Sequence, residues 1–297
     1  MKFAVNTEVA DALAAGRPVV ALESTIFSPL GLPAPANREA LDRCLAAVRA
    51  GGAVPALTAV LDGVARVGLE PDQHARILTG GVKLAERDLA VASAHGTAVG
   101  VTTVSASLAL AAAAGVHVFA TGGIGGVHRG AEVTGDVSAD LGAIARYPVV
   151  TVSAGAKAFL DVARTLEYLE TASVPVLGWR TDEFPMFWCR SSGLPVPHRV
   201  EDAATVARVA RAQGALGSTR GVLLSVPVPE PAAIPREEIE AAIATVAPDR
   251  GTGASVTPRA LTAIAEATHG RTVRANLALA EHNASVAAAV ASEFTRT

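Results

Sequence analysis

The chain has 297 residues, enough for one large α/β domain or two modest ones and for a sizeable core. Half of it is apolar, which argues against disorder, and 25 basic against 28 acidic side chains leave a net charge of −3. That balance gives no basic footprint for nucleic acid and no polybasic patch for a membrane, and 4% aromatics offer few base-stacking platforms.

In chain order, Asn6-Thr7 caps a first helix that ends at Gly16, and Val19 to Leu22 is a short apolar run read as a buried strand. Before the next helix, Phe27 to Ala36 carries prolines and Gly31, so it is a loop. Asn37 is placed as an N-cap, with Leu41, Cys44, Leu45 and Val48 at helical spacing behind it. Val54 to Leu61 and Val64 to Leu69 flank Asp62-Gly63, a hairpin signal. The most apolar window, Val99 to Ala120, is broken by Thr102, Thr103, Ser105, Gly115 and His117. It is read as a buried helix and then a strand rather than a membrane span. Further on, a helix is predicted over Asp136 to Arg146, a strand over Pro148 to Val152, a helix over Ala158 to Thr171 and a strand over Val174 to Leu177. The last third predicts a helix near Glu201 to Gln213 and a strand at Gly221 to Val228. More helices are expected to start near Arg236, at Thr257-Pro258 and near Thr272. This alternation predicts an α/β fold with a mostly parallel central sheet and helices on both faces, built as one domain over 1–297.

Cys44 and Cys189 lie far apart, form no metal-ligand spacing or disulfide framework, and suit a reducing cytoplasm. The residues Met1 to Val5 lack the sustained apolar stretch of a signal peptide.

Ligands of parallel sheets sit beyond the carboxyl ends of the strands. Three polar clusters fall there: Glu23-Ser24-Thr25, the glycine loop Gly122 to Gly130 with His128 and Arg129, and Lys157. The loop holds five glycines in nine residues but matches neither a dinucleotide fingerprint nor a Walker loop. Asp136 and Asp140 would share one face of a helix, where hard oxygen ligands suit a divalent ion. An N-cap aspartate with a solvated partner is the plainer account of that spacing. Lys157 follows a nearly all-apolar strand and small neighbours. A lysine in such a site loses its proton more easily, and the free amine attacks carbonyls to give imines; a snorkelling surface lysine is the alternative. Lys83 either binds an anion or lies on a solvated face. His74, His95, His117, His198, His269 and His282 are read as structural or surface residues. Phe184 to Cys189 is expected as a core or subunit-interface anchor ahead of a pocket wall.

Together these stretches resemble the pseudouridine-5'-phosphate glycosidase family. The resemblance is carried by Ala21-Leu22-Glu23-Ser24-Thr25-Ile26, Leu61-Asp62-Gly63, the block Ala120 to Glu132, Asp136 to Leu141, Ser153 to Lys157, Thr165 to Thr171 and Asn276 to Asn283. It implies reversible cleavage of pseudouridine 5'-phosphate to uracil and ribose 5-phosphate, with a divalent metal, Mn²⁺-like, and a homotrimer. By that resemblance Lys157 is the covalent nucleophile and Glu23 the proton donor. Lys83, Val104 and Ser138, Ala139 and Asp140 contact substrate, Asp136 serves the metal, His128 lines the site, and either Asn276 or Asn283 contributes. Around Lys83 the chain departs from the family's basic pattern, with Ala85-Glu86 at two of its positions. The alternatives are a related enzyme acting on another nucleobase or in a pigment pathway, and a non-catalytic sugar-phosphate-binding protein. The joint presence of Glu23, Lys157, His128 and Asp136 disfavours the binder, which needs no nucleophile.

Overall fold

The computed structural model describes residues 2–245 and 256–295. Its strands are β1 (Lys2–Val5), β2 (Val19–Leu22), β3 (Val54–Leu61), β4 (Val64–Val67), β5 (Val82–Leu84), β6 (Val99–Thr102) and β7 (Val118–Ala120). They continue with β8 (Val127–His128), β9 (Val150–Ser153), β10 (Leu160–Asp161), β11 (Val176–Trp179), β12 (His198–Val200) and β13 (Val222–Ser225). Eleven form one sheet in the order β1-β4-β3-β2-β7-β9-β13-β11-β12, with β6 pairing β3 and β5 pairing β6. All pairings in that sheet are parallel except β3 with β4 and β3 with β6.

Strands β2, β3, β9 and β13 are buried along their whole length; β2, β3 and β13 are mainly Val, Leu and Ala, as expected of strands covered on both faces, whereas β9 buries Thr151 and Ser153 as well. The Asp62-Gly63 turn joins β3 to β4 with φ of 53° and 71°, the left-handed pair that a tight hairpin requires. Helix Arg271–Thr295 crosses β2, β7 and β9 and packs against helices Ala36–Ala50 and Ala203–Ala215. Helices Val104–Ala114 and Ala139–Arg146 pack on each other and cover the opposite face.

Several boundaries differ from those the sequence predicts. Asp136 to Ser138 are extended, not helical: His128 N donates to Asp136 O at 3.0 Å and Ser138 N to Gly126 O at 3.0 Å. The helix therefore starts at Ala139, capped by Ser138, so Asp136 and Asp140 do not share a helix face. The next helix starts at Val162 rather than Ala158, because Leu160–Asp161 pairs with β8. Thr257 lies inside helix Val256–Ala267 rather than flanking it.

Asn37 is not a cap either. The helix begins at Ala36, and the buried Asn37 amide donates to Phe27 O at 3.3 Å and Leu78 O at 3.1 Å, tying the proline-rich loop to the core. Asn37→Ala orphans two buried carbonyls and should lower stability by about 1–3 kcal/mol. A fall in the urea midpoint at unchanged slope checks it.

Candidate active site

Three neighbouring strands end at one cavity of about 190 Å³. Leu22, Ala120 and Val152 stand side by side across β2, β7 and β9, so the residues that follow them emerge together at the carboxyl edge. Beyond that edge the pairing continues. Thr121 N donates to Val152 O, Ala154 N to Gly122 O, Ile124 N to Gly155 O and Lys157 N to Ile124 O, all within 2.9–3.1 Å. The glycine loop is thus an extension of β7 laid along residues 152–157, and it delivers Lys157 to the cavity wall. Gly155 has φ of +76°, and a Cβ there would lie 2.0 Å from Pro185 O, so no larger residue fits this turn.

Glu23 follows β2 and is only 8% exposed. The Thr121 hydroxyl donates to its Oε1. Burial pushes the Glu23 carboxyl up to about 6; the charges of Lys157 and Lys83 and the Thr121 bond pull it down, and the Asp140 charge pushes it up. Lys83 lies in β5, opposite Val101 of β6, and faces the same cavity. Its ammonium is held below the usual lysine range by burial and by the charge of Lys157, against the opposing pull of Asp140 and Glu23.

Asp140 is buried, and both its oxygens are engaged. Oδ1 accepts from Ser105 N at 3.0 Å, at the start of helix Val104–Ala114, and Oδ2 from Gly125 N at 2.9 Å. It braces the helix start to the glycine loop rather than pairing with Asp136. On the open side, β8 is clamped between residues 136–138 and β10, and His128 Nδ1 sits 3.7 Å from Asp136 Oδ2. Asp136 is 42% exposed at its side chain, and no cluster of three or more metal-ligating side chains occurs among the described residues. This donor set suits an ion held mainly by water and substrate oxygens, as magnesium-like ions usually are.

Glu23, Lys83, Val104, His128, Asp136, Ser138, Ala139, Asp140, Lys157 and Asn276 all border the cavity. The two asparagines of helix Arg271–Thr295 separate. Asn276 lines the cavity, whereas the Asn283 amide donates to Thr121 O at 2.8 Å and Gly122 O at 3.1 Å and so props the glycine loop from behind. Phe184 to Cys189 is buried, as its aromatic content predicts, but Phe187 also walls the cavity.

The family model for indigoidine synthase A like proteins matches residues 8–293. The chain belongs to that family. A Myxococcus xanthus protein named pseudouridine-5'-phosphate glycosidase is 48% identical over 100% of this chain and 99% of its own length. A Deinococcus radiodurans protein of the same name is 49% identical over 98% of this chain and 95% of its own. Among solved structures, the prealnumycin C-glycosynthase in complex with ribulose 5-phosphate superposes with a TM-score of 0.91 at 38% identity, covering 100% of this chain and 98% of that one. An indigoidine synthase A-like protein from Thermotoga maritima gives 0.92 at 35% identity, covering 100% and 97%.

The contribution of Thr121 escapes a motif reading, and for Asn283 and Phe187 the motifs give the residues but not which of them reaches the cavity. Thr121 carries a signal in retrospect, since it follows its strand in register with Glu23. The i, i+7 spacing of Asn276 and Asn283 puts both on one helix face.

The two groups that perturb Glu23 make opposite predictions. Thr121→Val removes a bond that favours the carboxylate, so the Glu23 carboxyl should titrate above about 6. Asp140→Asn removes a neighbouring negative charge, so it should titrate below that value. A pH titration of the Glu23 side-chain carbon by NMR reads both signs.

Proposed function

We propose that the protein reversibly cleaves the C–C glycosidic bond of pseudouridine 5'-phosphate to uracil and ribose 5-phosphate. The observation that carries this reading is the convergence of the Glu23 carboxyl and the Lys157 amine on one cavity. It occurs in a chain about half identical to proteins named for that activity, at 48% and 49%.

A carbon-linked base is a poor leaving group for a pair of carboxylates alone, because the departing carbon needs a proton and the sugar carbon needs a lone pair to push against. Glu23 gives its proton to the ring oxygen O4' as the Lys157 amine bonds to C1' and the C1'–O4' bond breaks. Glu23, now a carboxylate, takes a proton from the new ammonium nitrogen, whose freed lone pair then forms the C1'=N bond as the C1'–C5 bond breaks. The C1'–C5 electrons stay with uracil, whose C5 takes that proton from Glu23. Water adds to the iminium, and collapse releases ribose 5-phosphate and the free amine. With a carboxyl near 6, about a tenth of Glu23 is protonated at pH 7, against well under a hundredth for an ordinary glutamate. Lys83 and the start of helix Ala139–Arg146 at Ser138 support a seat for the 5'-phosphate, since cations and free helix N–H groups both attract anions.

A divalent ion, Mn²⁺-like, is part of the proposal, with Asp136 as its protein ligand and His128 beside it. Such an ion would neutralise charge on substrate oxygens. The proposal also includes a single-domain protomer, a homotrimer and a cytoplasmic location. The continuous eleven-stranded sheet supports the first. Exposed apolar side chains at Val133, 87% exposed, and at Val137 near the cavity mouth support association. No helix among the described residues is long and apolar enough to cross a membrane.

The C-glycosynthase with its bound ribulose 5-phosphate favours a second reading, C–C bond formation with a different acceptor. Mixing the protein with uracil and ribose 5-phosphate separates the two: the first reading expects an ultraviolet change and a carbon-linked product.

Lys157→Ala should reduce turnover at least about a thousandfold and abolish a borohydride-trapped pentose adduct. An adduct that persists in that variant removes Lys157 from the nucleophile role. Exhaustive chelation should slow turnover, added Mn²⁺ should restore it, and Asp136→Ala should raise the Mn²⁺ needed for half-maximal rate about tenfold. An undiminished rate in metal-free protein ends the Asp136 assignment.

A further inference from the structure

Between β11 and β12 the chain makes an irregular excursion whose tip is Phe184 to Cys189. Met186 and Cys189 exchange both backbone hydrogen bonds at 3.0 Å, closing a tight turn over Phe187 and Trp188. Phe187 has φ of 56°, a left-handed conformation that bulky residues seldom adopt. Its N–H donates to Ala154 O at 2.9 Å, and its ring presses on the glycine loop so closely that a Cβ on Gly123 would lie 2.6 Å from it. The strained turn therefore sets two adjacent rings, with centroids 4.9 Å apart: Phe187 at the cavity wall and Trp188 behind it in the core.

Trp188 is 0% exposed, and its indole N–H donates to Asn276 Oδ1 at 2.8 Å. An indole nitrogen can donate but never accept, so this bond decides which way the amide faces. The Asn276 oxygen turns toward Trp188, and the two Nδ2 hydrogens turn the other way. Asn276 is 6% exposed and lines the cavity, and Nδ2 has no acceptor among the described residues. A nearly buried donor thus stands at the cavity wall beside an aromatic ring.

We propose that Trp188 is a positioning residue that makes Asn276 a donor only, so that the subsite beside Phe187 takes a base carbonyl and refuses an amino group at the same place. The inference rests on the reading of the cavity as a site for a pyrimidine base. Uracil presents carbonyl oxygens at both C2 and C4. Cytosine replaces the oxygen at C4 by an amino group, and isocytosine the one at C2. A buried donor facing an amino group leaves both unsatisfied, a mismatch that costs about a hundredfold or more in affinity.

The test measures dissociation constants of uracil, cytosine and isocytosine by calorimetry in the presence of ribose 5-phosphate, with wild-type protein and Trp188→Phe. Wild type should bind at least one amino isostere about a hundredfold more weakly than uracil. Trp188→Phe keeps an aromatic ring but lets the amide turn over, and should shrink that ratio at least tenfold. Unchanged ratios in folded Trp188→Phe, or an equal loss for all three bases, overturn the proposal, because a purely structural role weakens every base alike. A wild-type measurement covers the case of a misfolded variant: the Asn276 Nδ2 protons should shift in NMR spectra on adding uracil but not the rejected isostere, and equal shifts overturn the proposal. Absence of pseudouridine 5'-phosphate cleavage alongside intact base discrimination would sink the functional reading while leaving this inference standing.

Discussion

The site depends on one register. Leu22, Ala120 and Val152 are level across three parallel strands, and everything chemical in the cavity follows from where their successors emerge. Glu23 and Thr121 meet because they are the next residues on adjacent strands. Lys157 arrives because the backbone of the glycine loop keeps pairing with residues 152–157 after the regular strands have ended. A slip of one residue in either pairing would turn Glu23 or Thr121 to the opposite face, since side chains alternate along a strand. Burial on both faces makes such a slip costly, so the fully buried strands β2, β7 and β9 also specify the catalytic geometry.

Charge is balanced within this geometry. Two lysines, Lys83 and Lys157, share the cavity wall with two buried carboxylates, Glu23 and Asp140. Asp140 accepts from two backbone N–H groups and serves as a brace, whereas Glu23 accepts from a single hydroxyl and faces the cavity. For Glu23, burial with a single hydroxyl donor leaves the protonated form accessible.

Most of the fold was legible because its signals are local. The runs at β2 and β3, the Asp62-Gly63 turn and the helix closed by Gly115 each announce themselves within a few residues. The polar residues at the strand ends were legible as a group, since topology alone sends them to one edge. What escaped depends on distant partners. Asp136 to Ser138 reads as the start of a helix until the glycine loop offers its backbone as a competing partner. Asn37 reads as a cap until Phe27 and Leu78 come within reach of its amide. No periodicity marks Trp188, whose role is set by a residue 88 positions away.

The same dependence on distant partners explains why the site sits at the middle of the sheet. Phe187 holds a strained backbone, and Thr151 Oγ1, Ser153 Oγ and Asn283 Oδ1 are buried with no partner among the described residues. Each such feature costs about 1–3 kcal/mol. A fully buried Val or Leu returns about 1.5–3 kcal/mol, and the strands around the site supply many of them. At the edges, β1 and β12 are largely exposed along their length and have a neighbour on one side only. A carboxyl placed there would regain water, and with water its ordinary acidity. Only a strand hemmed in on both sides and both faces keeps Glu23 dry enough to hold a proton close to neutral pH.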